Sequence, residues 1–125
     1  MIRHIAVLLA LGLATLAAAT TASAGPRTLH AAKTCSLSGY EQRHLGPSYV
    51  TSLKVSHTGC TTGKAVVRAY YSCRIHNGGK RGRCNHTVLG YSCSERRSGI
   101  KVQFDATVNC YRGIRHVLHT YTQNT

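Results

Sequence analysis

Six cysteines, all downstream of residue 24, constrain this chain more than any other feature. They follow an N-terminal stretch in which Arg3 and His4 precede an apolar run from Ile5 to Ala19, closed by Ala22-Ser23-Ala24. A basic start, a short apolar middle and small residues at the −3 and −1 positions form the pattern of an export signal. The run is shorter than the roughly 20 residues a membrane span needs. Cleavage after Ala24 is therefore expected, with 25–34 as a loose leader and 35–125 as one disulfide-rich domain. An even number of cysteines in a short exported chain predicts full pairing in an oxidising compartment, hence a secreted or extracytoplasmic protein. At about 100 residues the core is modest, and each disulfide is worth about 2–4 kcal/mol. No Cys-x-x-Cys or His-x-x-x-His spacing points to a metal, and no cofactor motif is present.

Periodicity divides the domain. Tyr49–Ser56 alternates, with Tyr49, Thr51, Leu53 and Val55 on one face of a strand. After Gly59-Cys60, Thr61 and Thr62 are candidate caps for a helix over about 61–74, whose apolar stripe is Ala65, Val66, Ala69, Tyr70 and Cys73. Residues 88–95 read as a strand with Leu89, Tyr91 and Cys93 aligned. Arg96–Gly99 reads as its turn, and 100–110 as the next strand, with Ile100, Val102, Phe104, Ala106, Val108 and Cys110 inward. A last strand covers about 114–122. The expected fold class is α+β, one helix on a small antiparallel sheet (49–56, 88–95, 100–110, 114–122), stapled by disulfides.

A hairpin turning at 96–99 would put Cys93 near the turn and Cys110 far along the next strand, roughly 26 Å away at strand rise. That excludes a Cys93–Cys110 bridge, because linked Cα atoms lie within about 7 Å. If the helix runs antiparallel to the following strand, the favoured set is Cys60–Cys93, Cys73–Cys84 and Cys35–Cys110. Its rival, with the helix reversed, is Cys60–Cys110, Cys73–Cys93 and Cys35–Cys84.

Charge supplies the functional reading. The chain carries +13 at pH 7, and only Glu41, Glu95 and Asp105 are acidic. Such an excess steers a protein towards polyanions. The candidate site for an anionic partner is Arg74, His76, Lys80, Arg81 and Arg83, in and before a glycine-rich loop pinned by Cys84, with Arg96, Arg97 and Lys101 at a neighbouring turn. Glycine-spaced cations suit phosphate and other anions. No nucleic-acid-reading motif is present, so an envelope polymer, glycan or nucleic acid would be met without sequence specificity. Glu95 beside two arginines reads as a surface ion pair. No catalytic residue is assigned. Carboxylates are too sparse for an acid pair, and His116 and His119, three apart on a strand, point to opposite faces. The expectation is a non-enzymatic binder. The alternatives are a secreted inhibitor-like protein-binding module using the stapled loop, and a small secreted nuclease or hydrolase.

Two resemblances bear on this. Val102–Val108 is similar to the closing strand of pancreatic-type ribonucleases, but Gln103 stands where that family's strand histidine protonates the leaving group. More broadly, Tyr-Val-Thr-Ser-Leu-Lys-Val (49–55), the helix opened by Cys60 with Ala-Val-Val-Arg-Ala-Tyr (65–70), Gly-Tyr-Ser-Cys (90–93) and Val-Asn-Cys-Tyr-Arg-Gly (108–113) resemble small secreted cysteine-rich proteins of actinobacteria-like bacteria that carry no assigned activity. This likeness spans most of 35–122. It implies a bacterial exported domain and transfers no catalytic residue.

Overall fold

The structure is a computed structural model that describes residues 32–125. The expected signal segment (1–24) and most of the leader lie outside the described residues. In chain order the elements are β1 (Lys33–Thr34), α1 (Gly39–His44), β2 (Tyr49–Ser56), α2 (Cys60–His76), β3 (Ser92–Ile100), β4 (Gln103–Arg112) and β5 (Arg115–Asn124). The strands form one antiparallel sheet in the order β1-β2-β5-β4-β3, and α2 packs on one face of it. This is the α+β, disulfide-stabilised architecture expected from the sequence, with two elements that the sequence reading did not anticipate. The end of the expected leader is strand β1. A short helix, α1, is closed by a capping box in which Ser38 and Glu41 exchange side-chain-to-backbone hydrogen bonds.

The helix buries Gly63, Val66, Val67, Tyr70, Cys73 and Arg74, a stripe rotated from the expected one towards Val67 and Arg74. Its N-cap is Gly59, and Thr61 and Thr62 are exposed in the first turn rather than capping it. Gly63 has a specific role here. A Cβ at that position would lie 2.7 Å from Val55 Cγ1, so only glycine lets the helix approach β2 this closely. In β2 the register shifts between Val50 and Ser52. Thr51 is the extra residue of that bulge, so Val50, Leu53 and Val55 face the core while Tyr49 and Thr51 do not. A bulge resets the alternation that the sequence pattern assumes.

The largest departure concerns β3 and its hairpin. Residues 88–91 make a tight turn, with reciprocal Val88–Tyr91 backbone hydrogen bonds and positive φ at Leu89 and Gly90. The strand starts at Ser92 and runs through the expected turn to Ile100, and the chain reverses at Lys101-Val102 instead. Gly99 is therefore a ladder residue, opposite Phe104. A Cβ there would come within 2.8 Å of the Phe104 Cα, and its φ of 132° also favours glycine, so the residue serves the close strand approach and the backbone bend within the ladder. The turn itself is held by Thr125, whose N–H donates to Val102 O and whose hydroxyl donates to Lys101 O. Ile100 and Val102 stand exposed at it; the inward set on β4 is Phe104, Ala106, Val108 and Cys110.

This longer hairpin corrects the disulfide reasoning. Cys93 lies directly opposite Cys110 in register, and the two are bonded, with Cα atoms 4.0 Å apart. Cys35 is bonded to Cys60 and Cys73 to Cys84. Of the favoured set, only Cys73–Cys84 is present. Cys60–Cys93 is prevented by topology, because Cys60 begins the helix just after β2 whereas Cys93 lies on β3 at the far edge of the sheet. Cys35–Cys110 is prevented because Cys35 donates its N–H to Leu53 O of β2, and β5 stands between β2 and β4, which carries Cys110. No rival pair forms either.

A buried carboxylate and the loop it anchors: the candidate functional site

The first surprise of the site is Glu95. Strand alternation turns Cys93, Glu95 and Arg97 towards the helix and Ser94, Arg96 and Ser98 away from it. The Glu95 side chain is only 3% exposed. It is the hub of a polar cluster and not the surface ion pair expected. Tyr70 and Tyr121 donate their hydroxyls to Glu95 Oε2 at 3.0 and 2.6 Å. Arg97 contacts Oε1, Arg83 Nη1 lies 3.5 Å from it, and Arg74 Nε lies 3.8 Å from Oε2. Burial, together with the Glu95 carboxylate, pushes both tyrosine hydroxyls well above their ordinary pKa. Burial lowers that of Arg74.

Arg74 is fully buried on α2, and this removes it from the expected anion site. Its guanidinium lies over the Tyr121 ring, 4.6 Å from the centroid, and donates to Gly82 O (3.3 Å) and Lys80 O (2.6 Å). Arg97, 4.3 Å from the Phe104 centroid, donates to Arg81 O at 2.8 Å and to Gly82 O. Two residues that composition marks as ligand-binding cations are thus scaffold. Their planar forks hold three consecutive carbonyls of the 80–82 segment from beneath. Gly82 permits the approach, since a Cβ there would sit 2.1 Å from Arg74 O. The Cys73–Cys84 bridge fixes the far end of the loop.

What this clamp leaves outside are Lys80, Arg81 and Arg83, all exposed, and His76, whose Nδ1 is hydrogen-bonded to Ser72 O at the end of α2. The eight expected residues fall into separate places. Lys80, Arg81, Arg83 and His76 are at the loop and helix end, Arg74 and Arg97 are inside, Lys101 is in the β3–β4 turn, and Arg96 is on the opposite face of the sheet. The carboxylates are spoken for: Glu95 by the buried cluster, and Glu41 by its capping box and an ion pair with Lys64 that also lowers its pKa. Asp105 alone is exposed on the sheet, accepting a hydrogen bond from Thr122.

The remaining candidate groups are distributed in a way that limits chemistry. His119 is buried against Tyr70 and Tyr121, and burial, with the Arg74 charge, lowers its pKa to about 3, so it is neutral. His116 faces the other side of the sheet, stacked on Tyr111 with centroids 4.2 Å apart. Asp105 and His116 share that outer face but are separated by six strand positions, about 20 Å at strand rise, because His116 is opposite Tyr111. Cys73, Cys84 and His86 converge within 4.8 Å, but the two sulfurs are bonded to each other and offer no thiolate to a metal.

The sequence reading missed the Glu95 hub because its inward stripe is charged. A search for apolar alternation passes over it, although Cys93-Ser-Glu-Arg-Arg97 alternates as strictly as its neighbours. No protein-family model matches the chain, and no curated protein and no solved structure is significantly similar to it. The site is therefore argued from its own geometry.

Proposed function

We propose that this protein is a non-catalytic, exported binder of anionic polymers that meets its partner through the stapled 76–84 loop. The observation that carries the reading is the division of labour among the arginines. Arg74 and Arg97 spend their charge on loop carbonyls, so the backbone beneath Lys80, Arg81 and Arg83 is fixed while those side chains reach solvent. A preorganised cation set loses less freedom on binding than a flexible tail does. Three disulfides suit an oxidising, extracellular setting. Among the described residues no helix is long and apolar enough to cross a membrane. The separation of Asp105 from His116, and the sealing of His119, argue against proton-transfer catalysis.

The test is affinity for heparin as a function of salt. Affinity should fall steeply as salt rises, and combined Lys80→Gln, Arg81→Gln and Arg83→Gln should reduce the log–log slope by about two to three, at roughly 0.7–0.9 per cation. An unchanged slope in the variant, or binding indifferent to salt, would remove the loop from the function. The rigidity of the same loop also favours a second reading, an epitope for one defined protein. In that case replacing 78–82 abolishes capture of that protein at any salt concentration.

A further inference from the structure

The face of the sheet turned away from α2 carries a second set of groups that the loop does not use. Its outward positions on β3, β4 and β5 are mostly short hydroxyl or amide side chains, with Ile100, Asp105, His116 and Leu118 among them alongside Arg96 and Tyr111. Two depressions of about 490 and 550 Å3 lie side by side on it, and Arg96 and Thr107 line both. Among the described residues Arg96 has no ion-pair or hydrogen-bond partner, although Asp105 lines the same depression. Register explains the separation. Arg96 stands opposite Thr107, and Asp105 stands opposite Ser98 with one oxygen taken by Thr122. At the other end Tyr111, 52% exposed, is held by stacking on His116, whose Nε2 is 3.2 Å from Asn109 Oδ1.

We infer that this outer face is a second binding site, separate from the loop, for an oligosaccharide bearing occasional carboxylates. Charge complementarity selects that occupant. A free guanidinium at the junction of the depressions takes one carboxylate in a bidentate pair. The unpaired oxygen of Asp105 accepts from sugar hydroxyls and repels a polymer charged at every unit, which disfavours nucleic acid and polyphosphate. Thr107 and its hydroxyl neighbours offer both donors and acceptors along the floor. Tyr111, its orientation fixed by His116, presents an amphipathic ring to the C–H face of a pyranose. From Asp105 to Tyr111 the trough runs about 20 Å along β4, room for several sugar rings.

The experiment is amide chemical-shift mapping on the full chain with three probes: a tetrasaccharide carrying one galacturonic acid among three galactose units, its carboxyl-reduced neutral counterpart, and a single-stranded oligonucleotide. The singly carboxylated tetrasaccharide should shift the amides of Thr107, Asn109, Tyr111 and Thr120. The neutral counterpart should bind about tenfold or more weakly, as should the Arg96→Gln protein with the acidic probe. Thr107→Val, also outward-facing, should weaken binding without altering the fold, and Tyr111→Ala likewise; an unperturbed spectrum of each free variant checks this. The Lys80, Arg81 and Arg83 glutamine variant should bind the tetramer within about twofold of the parent, which separates this site from the loop. The inference is overturned by any of four results: no shifts on this face, equal affinity for the neutral sugar, tighter binding of the oligonucleotide here, or concentration-dependent shifts without ligand that report a second copy of the chain.

Discussion

Glu95→Gln is the most incisive perturbation of this fold. The substitution keeps the shape of the side chain and an oxygen that can accept from Tyr70 and Tyr121, so packing and those two hydrogen bonds survive. What it removes is the negative charge between two guanidiniums whose side chains are 0% and 13% exposed. Removing one partner of a buried pair typically costs about 3–5 kcal/mol, chiefly because the other charge is left uncompensated. Here Arg83 sits at the rim, 61% exposed, and Arg97 retains some solvent, so the burden falls on Arg74 and the lower half of that range applies, about 3–4 kcal/mol. Urea unfolding of a domain this size has a slope near 1–1.5 kcal/mol per molar, so the midpoint should fall by about 2–4 M. Arg74→Met supplies the control. In the double variant the stranded charge is gone, and its cost should be smaller than the sum of the single losses by about 1–3 kcal/mol. A Glu95→Gln midpoint within about 0.5 M of the parent, or strict additivity in the double variant, would refute the buried hub as a charge-compensated cluster.

Two further outcomes follow from individual side chains. His119 has a folded-state pKa of about 3 against about 6.5 when unfolded, so the unfolded state binds the proton more readily. Its contribution is full above about pH 6.5 and is lost as pH falls towards 3, at about 1.4 kcal/mol per unit, or about 2 kcal/mol at pH 5. Denaturation at pH 7 and pH 5 should show that loss in the parent and not in His119→Phe; equal losses would assign it elsewhere. Gly82→Ala places a methyl group against Arg74 O and Asn77 O in a backbone conformation that alanine otherwise accepts, so its effect is steric alone. Hydrogen exchange across 80–83 should accelerate and stability fall by about 1–3 kcal/mol, whereas unchanged exchange would show that the loop is not clamped from beneath.

How much of this was legible follows from where the constraints lie. β2 runs over the expected 49–56, α2 exceeds its expected span by one residue at the start and two at the end, and β5 lies close to its own, because each carries a local apolar period. α1 had a readable signal, the Ser38-x-x-Glu41 capping box, which lay in a stretch otherwise irregular. β3 was misplaced for a different reason. Ser98-Gly99 has turn composition, and the demand that makes it ladder instead, close contact with Phe104, comes from the facing strand. The disulfide error is the same error carried forward: shifting one turn brings Cys93 opposite Cys110. Arg74 and Glu95 are 21 positions apart in sequence on a helix and a strand, and no local pattern links them.

The placement of charge then explains why so cationic a chain keeps one of its three carboxylates inside. Self-repulsion opposes folding of a strongly basic domain, and a surface Glu95 would relieve it only weakly. Buried, the same carboxylate offsets Arg74 and Arg97 at short range, and those arginines in turn satisfy carbonyls that the tight 80–82 segment would otherwise leave unbonded. The interior thereby fixes the geometry of the exposed cations, of which only Arg83 reaches back to Glu95. Staples at Cys73–Cys84 and Cys93–Cys110 bracket this cluster on the helix and on β3, the two elements that supply its arginines. A polyanion that neutralises Lys80, Arg81 and Arg83 relieves the remaining repulsion and has no equivalent preformed target in the unfolded chain. On the proposed reading, such a ligand would stabilise the fold through this one loop.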